Sequence, residues 1–315
     1  MTPGLPQSEK RLSLILWLVA GAALLGVAPV TVKALPFDAE VSAFYRVLLA
    51  TPFMLLICAF NTTRASPVPK NGRFYGLTLL AVILFTADLM VMHFAIKRTD
   101  VAIATLLTNC APFFVVLMGI AGIVEKPKVT EFFCLLVAIG GMYVLCILDK
   151  PLTHDYWGEA LALLAAFFYA AYIVTIKKVR EYECAPALIM LFITVGCSLL
   201  LFPVFILSGA PLPGDLSTWA LLLALVLCGQ VLGQLLVTRS LKGLSASFSS
   251  IVLLLQPVTA TALSWSLLDE TLTPLELAGM AIILAAIAAS ALLPPKSSNP
   301  LRTPEKEFPD RNASQ

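Results

Sequence analysis

The strongest constraint on the fold is a series of ten apolar stretches, each long enough to cross a lipid bilayer, for which a helix needs roughly 20 mostly apolar residues. Free backbone groups find no hydrogen-bonding partner in lipid, and the stretches are far too long for the strands of a membrane barrel. We therefore predict an all-α membrane protein with ten transmembrane helices. The helices are expected at about residues 12–33, 40–60, 73–96, 99–124, 130–148, 157–179, 184–208, 217–240, 244–268 and 273–293.

Little of the chain remains outside these spans. Only 13% of the 315 residues are charged, against roughly a quarter in soluble domains. We divide the chain into an N-terminal segment at 1–11, two five-helix units at 12–148 and 157–293, and a tail at 294–315. Proline, serine and charged residues dominate the tail, so we expect it to be disordered. The first apolar stretch is too long for a signal peptide and lacks a convincing cleavage site, so we interpret it as a retained span.

The positive charges predict the orientation. If both termini are cytoplasmic, sixteen of the 21 Lys and Arg residues fall in cytoplasmic segments. Four fall outside (Lys33, Lys97, Arg98 and Lys150), and Arg46 lies within a span. Lys and Arg are enriched in cytoplasmic loops, which favours this orientation. We expect a multi-pass protein of the bacterial inner (plasma) membrane with both termini in the cytoplasm. The net charge is +2 without a basic cluster, so nucleic acid is not an expected partner.

The two five-helix units carry a repeated pattern. Four pairs of identical residues are separated by the same 145 positions: Lys97 and Lys242, Pro112 and Pro257, Glu125 and Glu270, and Glu131 and Glu276. The sequences VTVK (30–33) and VTIK (174–177) match at an offset of 144. Because each unit has an odd number of spans, the second unit enters the membrane upside down. Inverted repeats are a recurring design of transporters, although duplication can also simply stabilise a helical bundle.

Three segments of the chain resemble the EamA-type branch of the drug/metabolite transporter superfamily. They are FYR (44–46) in the second span, ADLMVMHFAIKRTDVAIATLLTNCAPFFV (87–115) across the third and fourth, and QPVTATALSWSLLDETLTPLELAGMAIILAAI (256–287) in the last two. The third segment is the most specific, because it combines a span containing proline, an acidic end and a final helix with glycine. The resemblance covers residue 12 to about residue 293.

This resemblance implies a mechanism and a class of substrate. It implies alternating access around a central cavity that is lined mainly by spans 1, 3, 4, 6, 8 and 9. It also implies that the substrates are metabolites or amphipathic organic molecules, with export the commoner direction. The second unit departs from the first at the arginine of FYR, where Met190 stands in the matching place.

Five ionisable residues lie within the spans or at their ends: Arg46, Asp88, His93, Glu125 and Glu270. All of them except Asp88 are candidates for gating or structural charges, and Asp88 is a candidate for substrate binding. Charges at membrane depth usually face protein or water. Arg46 could extend to the external boundary or pair with Glu270 or another carboxylate at that end. Asp88 lies mid-span, where it either lines the cavity and exchanges a proton or is satisfied by a neighbouring helix. For His93, Glu125 and Glu270, a role at a helix boundary or gate competes with plain solvation.

The fourth span presents a polar face. Thr105, Asn109 and Pro112 follow the spacing of one helical stripe. Pro112 lacks a backbone donor and bends the helix, and transporters often expose backbone groups to substrate at such a break. An ordinary proline kink is the alternative. Glutamines and tyrosines on other spans could either line the cavity or join helices. The predicted substrate-binding residues are Asp88, Thr105, Asn109, Pro112, Tyr169, Tyr172, Gln230, Gln234, Gln256 and Pro257.

These patterns predict a secondary transporter of small organic metabolites. An intramembrane enzyme and a structural membrane factor are the alternatives, but the sequence lacks HExxH and GxSxG motifs, and a nucleotide-binding GxxxxGK[ST] loop is also absent. The seven cysteines are scattered without a CxxC pattern, so neither a metal nor another cofactor is expected. The expected partners are a small-molecule substrate, the lipid bilayer and protons as a candidate coupling ion. The sequence does not indicate an oligomeric state.

Overall fold

The computed structural model describes residues 7–60, 68–99, 101–148, 155–209, 212–267 and 272–292. Within these residues, ten helical spans are long and apolar enough to cross a membrane, which confirms the predicted fold class. The expected tail at 294–315 lies outside the described residues. The spans are built from these helices: Gln7–Leu25 and Val27–Ala34 (span 1), Ala39–Phe60 (span 2), Gly72–Arg98 (span 3), Val101–Thr108 and Ala111–Ile120 (span 4), Val129–Cys146 (span 5), Tyr156–Val179 (span 6), Pro186–Ser208 (span 7), Leu216–Ala224, Leu225–Leu232 and Gly233–Ser240 (span 8), Ala246–Leu253 and Leu255–Leu267 (span 9), and Pro274–Leu292 (span 10).

Several spans begin at a side chain that caps the first turn. Asp155 accepts a hydrogen bond from the backbone of Trp157 at 3.1 Å, and Asp215 accepts one from Thr218 at 2.9 Å. Hydrogen bonds from the side chain of Ser217 and from Thr218 lower the pKa of Asp215 to about 2. The ionised carboxylate is the form that best satisfies the free N–H groups of a helix start.

The repeated glutamates Glu131 and Glu276 start equivalent helices. Glu131 accepts from the backbone N–H of Lys128 at 3.2 Å at the start of span 5, and Glu276 accepts from that of Thr273 at 3.0 Å at the start of span 10. Both carboxylates thus reach back from the third helical residue, as in a capping box. Helix initiation explains why this pair recurs.

Four pairs of spans form the main packing contacts of the bundle: spans 3 and 6, spans 1 and 8, spans 2 and 7, and spans 5 and 10. Spans 5 and 10 cross where Gly141 meets Gly279. A methyl group added to Gly279 would lie 2.8 Å from the carbonyl oxygen of Gly141, and one added to Gly141 would lie 3.0 Å from that of Gly279. Glycine is therefore required on both helices for this close approach.

Spans 4 and 9 are both interrupted, and the interruptions lie at matching positions of the repeat. Span 4 breaks at Asn109 and Cys110, between its two helices, and span 9 breaks at Leu254. Asn109 and Leu254 are 145 positions apart. A proline follows each break after three residues, at Pro112 and Pro257, and its missing N–H removes a hydrogen bond of the helical ladder. The bend predicted for span 4 thus has a counterpart in span 9.

Span 8 contains an irregularity of another kind. Its central segment, Leu225–Leu232, is a π-helix. The wider turn of a π-helix shifts the direction of the backbone carbonyl groups, and such segments often occur at functional sites. The sequence analysis did not predict it.

The two ends of the bundle differ in packing. We call the end at which spans 6 and 8 finish the Lys177 end, and the end at which they begin the Gly158 end. In span 9, every residue from Ala246 to Leu253, which lie nearest the Lys177 end, is buried. Towards the Gly158 end, the residues from 259 to 264 are only half-buried and Trp265 is exposed. The bundle is closed more tightly at the Lys177 end.

Candidate functional site

A small cavity lies between the interruptions of spans 4 and 9. Its volume is about 20 Å³, room for about one water molecule, and it is partly open. The residues that line it are Thr108, Asn109, Ala111, Pro112, Tyr169, Ile173, Ser250, Leu253, Leu254 and Gln256. The four residues from span 4 correspond to positions 253, 254, 256 and 257 at the offset of 145, and the first three of these also line the cavity. The two units therefore contribute matching backbone segments to one site.

Side chains at the break in span 4 hold the preceding turn. The amide nitrogen of Asn109 donates to the carbonyl oxygen of Thr105 at 2.9 Å, and the hydroxyl of Thr108 donates to that of Ala104 at 2.9 Å. Thr105 is not among the residues that line the cavity, and it supports the site through its backbone. Pro257 is buried next to Gln256 and is likewise not among the lining residues.

Tyr169 connects the cavity to the interior of the bundle. It lines the cavity, and it interacts with the side chains of Gln256 and Gln234. Its ring stacks on Tyr172 with the centroids 6.1 Å apart, and Tyr172 stacks on Phe85 of span 3 at 4.7 Å. A row of aromatic rings thus extends from the cavity to span 3.

Arg46 lies inside the bundle rather than at its boundary. Its Nε donates to Oε1 of Gln230 at 3.0 Å, and its Nη2 donates to the carbonyl oxygen of Gly229 at 3.1 Å. Both acceptors belong to the π-helix of span 8. These two acceptors were not predicted, because the π-helix offers an amide and a backbone carbonyl that a search for carboxylates overlooks. Glu270, the predicted carboxylate partner, lies outside the described residues.

Asp88 is buried in span 3, with 7% of its surface exposed. It interacts electrostatically with Arg46 and with the two tyrosines. We call Arg46, Asp88, Tyr169, Tyr172, Gln230 and Gln234 the polar cluster. A positive and a negative charge near each other partly compensate, which lowers the cost of placing both within the membrane. The side chain of His93 lies outside the described part of the chain.

The charges of the polar cluster come from the first unit only. At the offset of 144, Met190 stands where Arg46 stands in the first unit, and at 145, Gly233 corresponds to Asp88. The cavity is thus built from matching segments of both units, whereas the cluster beside it has no charged counterpart in the second.

Two buried polar atoms of the cluster lack a hydrogen-bond partner among the described residues. They are the hydroxyl of Tyr172 and Nε2 of Gln230. Gln230 is fully buried, and Tyr172 is 3% exposed. Buried polar groups are nearly always paired, which makes these two atoms candidates for contact with a substrate.

Lys177 closes the bundle at the end named after it. Its Nζ forms an ion pair with Oε1 of Glu125 at 2.8 Å and donates to the carbonyl oxygens of Leu244 at 2.5 Å and Leu241 at 3.2 Å. Lys177 is buried, whereas the side chain of Glu125 is 52% exposed. One side chain of span 6 therefore ties the end of span 4 to the turn between spans 8 and 9. Glu125 is half solvated, as expected, but it also has this partner.

Further contacts reinforce the same end. Nε of Arg180 donates to the carbonyl oxygen of Thr238 at 3.1 Å, and its Nη1 donates to that of Cys184 at 2.5 Å. The hydroxyl of Ser245 donates to Glu131 at 3.4 Å. The sequence analysis did not identify Lys177 as a site residue, although the match of VTIK to VTVK could have drawn attention to it.

Comparison with known proteins places this site in a family. The chain is 25% identical to the pseudopaline exporter CntI of Pseudomonas aeruginosa, over 78% of this chain and 84% of that protein. It is 27% identical to the threonine/homoserine exporter RhtA of Escherichia coli, over 91% and 94% of the two chains. A solved crystal structure that is 14% identical has the same fold, with a TM-score of 0.75 over 89% of this chain and 97% of that one.

Two segments of the chain, residues 12–147 and 156–292, match the sequence pattern of the EamA-like transporter family. Together these segments cover nearly all of the described residues, including the cavity, the polar cluster and the contacts of Lys177. The chain belongs to the EamA-like transporter family.

Proposed function

We propose that this protein is a secondary transporter that exports small organic metabolites across the bacterial inner membrane by alternating access. The observation that carries the proposal is the cavity between two helix breaks at matching positions of the repeat. Transporters commonly bind substrate at such interrupted helices near the middle of the membrane. The relatives named as exporters support the direction of transport.

An inverted repeat is the simplest account of the symmetry in this chain. The main contacts of span 3 with span 6 and of span 8 with span 1 exchange when the two units are exchanged. The contacts of span 2 with span 7 and of span 5 with span 10 map onto themselves. The equivalent helix starts at Glu131 and Glu276 support the same correspondence. In an inverted repeat, each unit can adopt the conformation of the other, which opens the site to one side at a time.

The structure represents the state closed at the Lys177 end in this proposal. Lys177 and Arg180 seal spans 6, 8 and 9 there, and span 9 is fully buried on that side. We place the Lys177 end in the cytoplasm, together with both chain termini, because Lys and Arg are concentrated at it. The closed end then faces the cytoplasm, and the contacts of Lys177 must break when the substrate enters from there.

A reporter experiment tests the orientation. A reporter that is active only in the cytoplasm should give signal when fused to residue 315 and none when inserted near residue 153. The opposite result would reverse the orientation and the assignment of the cytoplasmic gate.

Protons are the coupling ion we propose, with Asp88 as the group that carries them. A carboxylate in the membrane interior is stabilised as an ion when Arg46 is near and loses that support if the distance grows. A change in the packing of spans 2 and 3 between the two states would therefore change the proton affinity of Asp88. Such a difference between states is the physical requirement for coupling.

Transport itself is tested by measuring the metabolites that cells release into the medium. Untargeted mass spectrometry would compare the medium of cells that overproduce the protein with that of cells carrying an empty vector. We expect at least one small metabolite to accumulate outside the overproducing cells. An overproduced protein in the membrane that changes no extracellular metabolite would argue for a structural role instead.

A further inference from the structure

The polar cluster contains several hydrogen-bond donors that have no acceptor among the described residues. Arg46 uses Nε and Nη2 for Gln230 and Gly229, and no described residue binds its Nη1. Because Oε1 of Gln230 accepts from Arg46, the other end of the amide is the donor Nε2, and it has no partner among the described residues. The hydroxyl of Tyr172, which interacts electrostatically with Arg46, also has no hydrogen-bond partner in the described part of the chain. Three donors thus belong to neighbouring groups of one buried cluster.

We infer that this group of donors is a binding subsite for a carboxylate group of the transported metabolite, formed by Arg46, Gln230 and Tyr172. A carboxylate is an acceptor with four lone-pair positions and no hydrogen to place, so it suits a site that offers only donors. Its planar geometry also fits the remaining N–H groups of a guanidinium. The inference rests on the proposed transport function and adds the chemical class of the substrate.

The charge of the cluster favours a carboxylate over a phosphate group. Arg46 has no directly bonded carboxylate among the described residues, and Asp88 compensates its charge only through space. A group with a single negative charge would pair with Arg46 directly. A phosphate group carries up to two negative charges, which are more costly at this depth beside the carboxylate of Asp88.

The subsite adjoins the cavity at Tyr169. Tyr169 lines the cavity and stacks on Tyr172. In a state of the transporter in which this cavity is wider, a molecule with its less polar part between the breaks of spans 4 and 9 would extend its carboxylate past Tyr169 towards Arg46. This arrangement makes Arg46 a substrate-binding residue, rather than only the structural charge expected from the sequence.

The substitution Tyr172→Phe tests the subsite most directly, because it removes one buried and unpaired hydroxyl. If that hydroxyl has no ligand, its removal leaves stability and transport unchanged or raises stability. If it binds the carboxylate of the substrate, the apparent affinity for substrate falls by about ten- to a hundredfold, as for other hydrogen bonds to charged groups. Thermal unfolding of the purified protein shows that the fold is intact.

Tyr45→Phe is the matched control. The hydroxyl of Tyr45 is also buried and without a partner among the described residues. Its ring packs against Phe37 and Phe205, outside the polar cluster. The two variants thus lose the same atom in comparable surroundings, and only Tyr172→Phe should affect transport.

Gln230→Glu provides a second, independent test. It places a carboxylate of the protein where we expect the carboxylate of the substrate to lie. The new side chain should pair with Arg46, so the protein should fold with equal or higher thermal stability and lose export. A variant that folds and exports as the wild type does would contradict the assignment.

The assay measures the extracellular metabolites of cells that produce each variant at equal abundance. We expect the metabolites that accumulate with the wild type and the Tyr45→Phe variant to carry a carboxylate, and their accumulation to fall with Tyr172→Phe and Gln230→Glu. Accumulation of metabolites that lack a carboxylate, including those with phosphate alone, would overturn the subsite while leaving transport intact. Unchanged export by the Tyr172→Phe variant would do the same. If no metabolite accumulates with the wild type, the proposed function fails and the subsite with it.

Discussion

Replacement of Lys177 by methionine should open the end of the bundle that this residue closes. The change removes the contacts of Nζ with Glu125, Leu241 and Leu244 and keeps much of the apolar volume of the side chain. If these contacts exist only in the observed state, their loss destabilises that state relative to the opposite one. The balance between the two states should shift as a result.

The contacts that Lys177 loses set the size of the shift in the equilibrium between the two states. A hydrogen bond to a charged group contributes about 1.5–3 kcal/mol, and an ion pair with a half-exposed partner contributes at most about 1 kcal/mol. Part of the loss is recovered when water reaches the free carbonyl groups of Leu241 and Leu244. A net change of about 2–3 kcal/mol remains, which corresponds to a factor of about 30–150 in the equilibrium between the states.

The rate at which a reagent labels a cysteine in the cavity reports the equilibrium between the two states. Ser250 lines the cavity, and Ser250→Cys in a background without the seven native cysteines provides a thiol for labelling. A membrane-impermeant maleimide applied to the Lys177 side should label this cysteine much faster when Lys177 is replaced by methionine. The control is Lys178→Met, which changes the neighbouring, half-buried lysine. Equal labelling rates in the Lys177→Met variant and the control would refute the gate.

Three further predictions concern the site and the fold. Asn109→Ala should reduce export while the amount of protein in the membrane stays near normal, as immunoblots of membranes would show; an equal loss of both would indicate a packing role. Asp88→Asn cannot exchange a proton, so export should lose most of its dependence on pH in vesicles with an imposed pH difference, and an unchanged pH profile would exclude Asp88 as the coupling group. Gly279→Ala pushes a methyl group against the backbone of Gly141 and should lower stability by about 1–3 kcal/mol, seen as a lower Tm in detergent. Gly140→Ala, which meets open space, should not lower the Tm, and equal effects of both changes would contradict the packing argument.

The spans could be predicted from the sequence because each of them satisfies a single local requirement. About 20 apolar residues are enough to identify a membrane helix, whatever it packs against. The break in span 4 could also be predicted from the sequence, because Pro112 removes a backbone hydrogen-bond donor whatever the helix packs against. The repeat then pointed to Pro257 as its counterpart in span 9, where the structure has the second break.

The partners of the charged residues could not be predicted in this way. Arg46 binds span 8 across the bundle, and its acceptors are an amide and a backbone carbonyl in a π-helix that no local pattern indicated. Lys177 likewise reaches two backbone carbonyls in a turn more than sixty residues away. Such contacts depend on which helices pack against each other, and the hydropathy of a segment does not indicate its neighbours. The roles of Glu270 and His93 stay predictions from sequence.

The charges of the polar cluster belong to one unit only, and this has a kinetic consequence. If the two units were chemically identical, the inward-open and outward-open states would be related by a two-fold rotation and would bind substrate with the same strength from either side. Arg46 and Asp88 have Met190 and Gly233 as their counterparts, so the two states surround the substrate differently. The concentration for half-maximal transport should therefore differ between the two faces of the membrane. Without coupling to an ion gradient, the maximal rates must differ by the same factor, since a carrier cannot by itself move the final concentration ratio away from one.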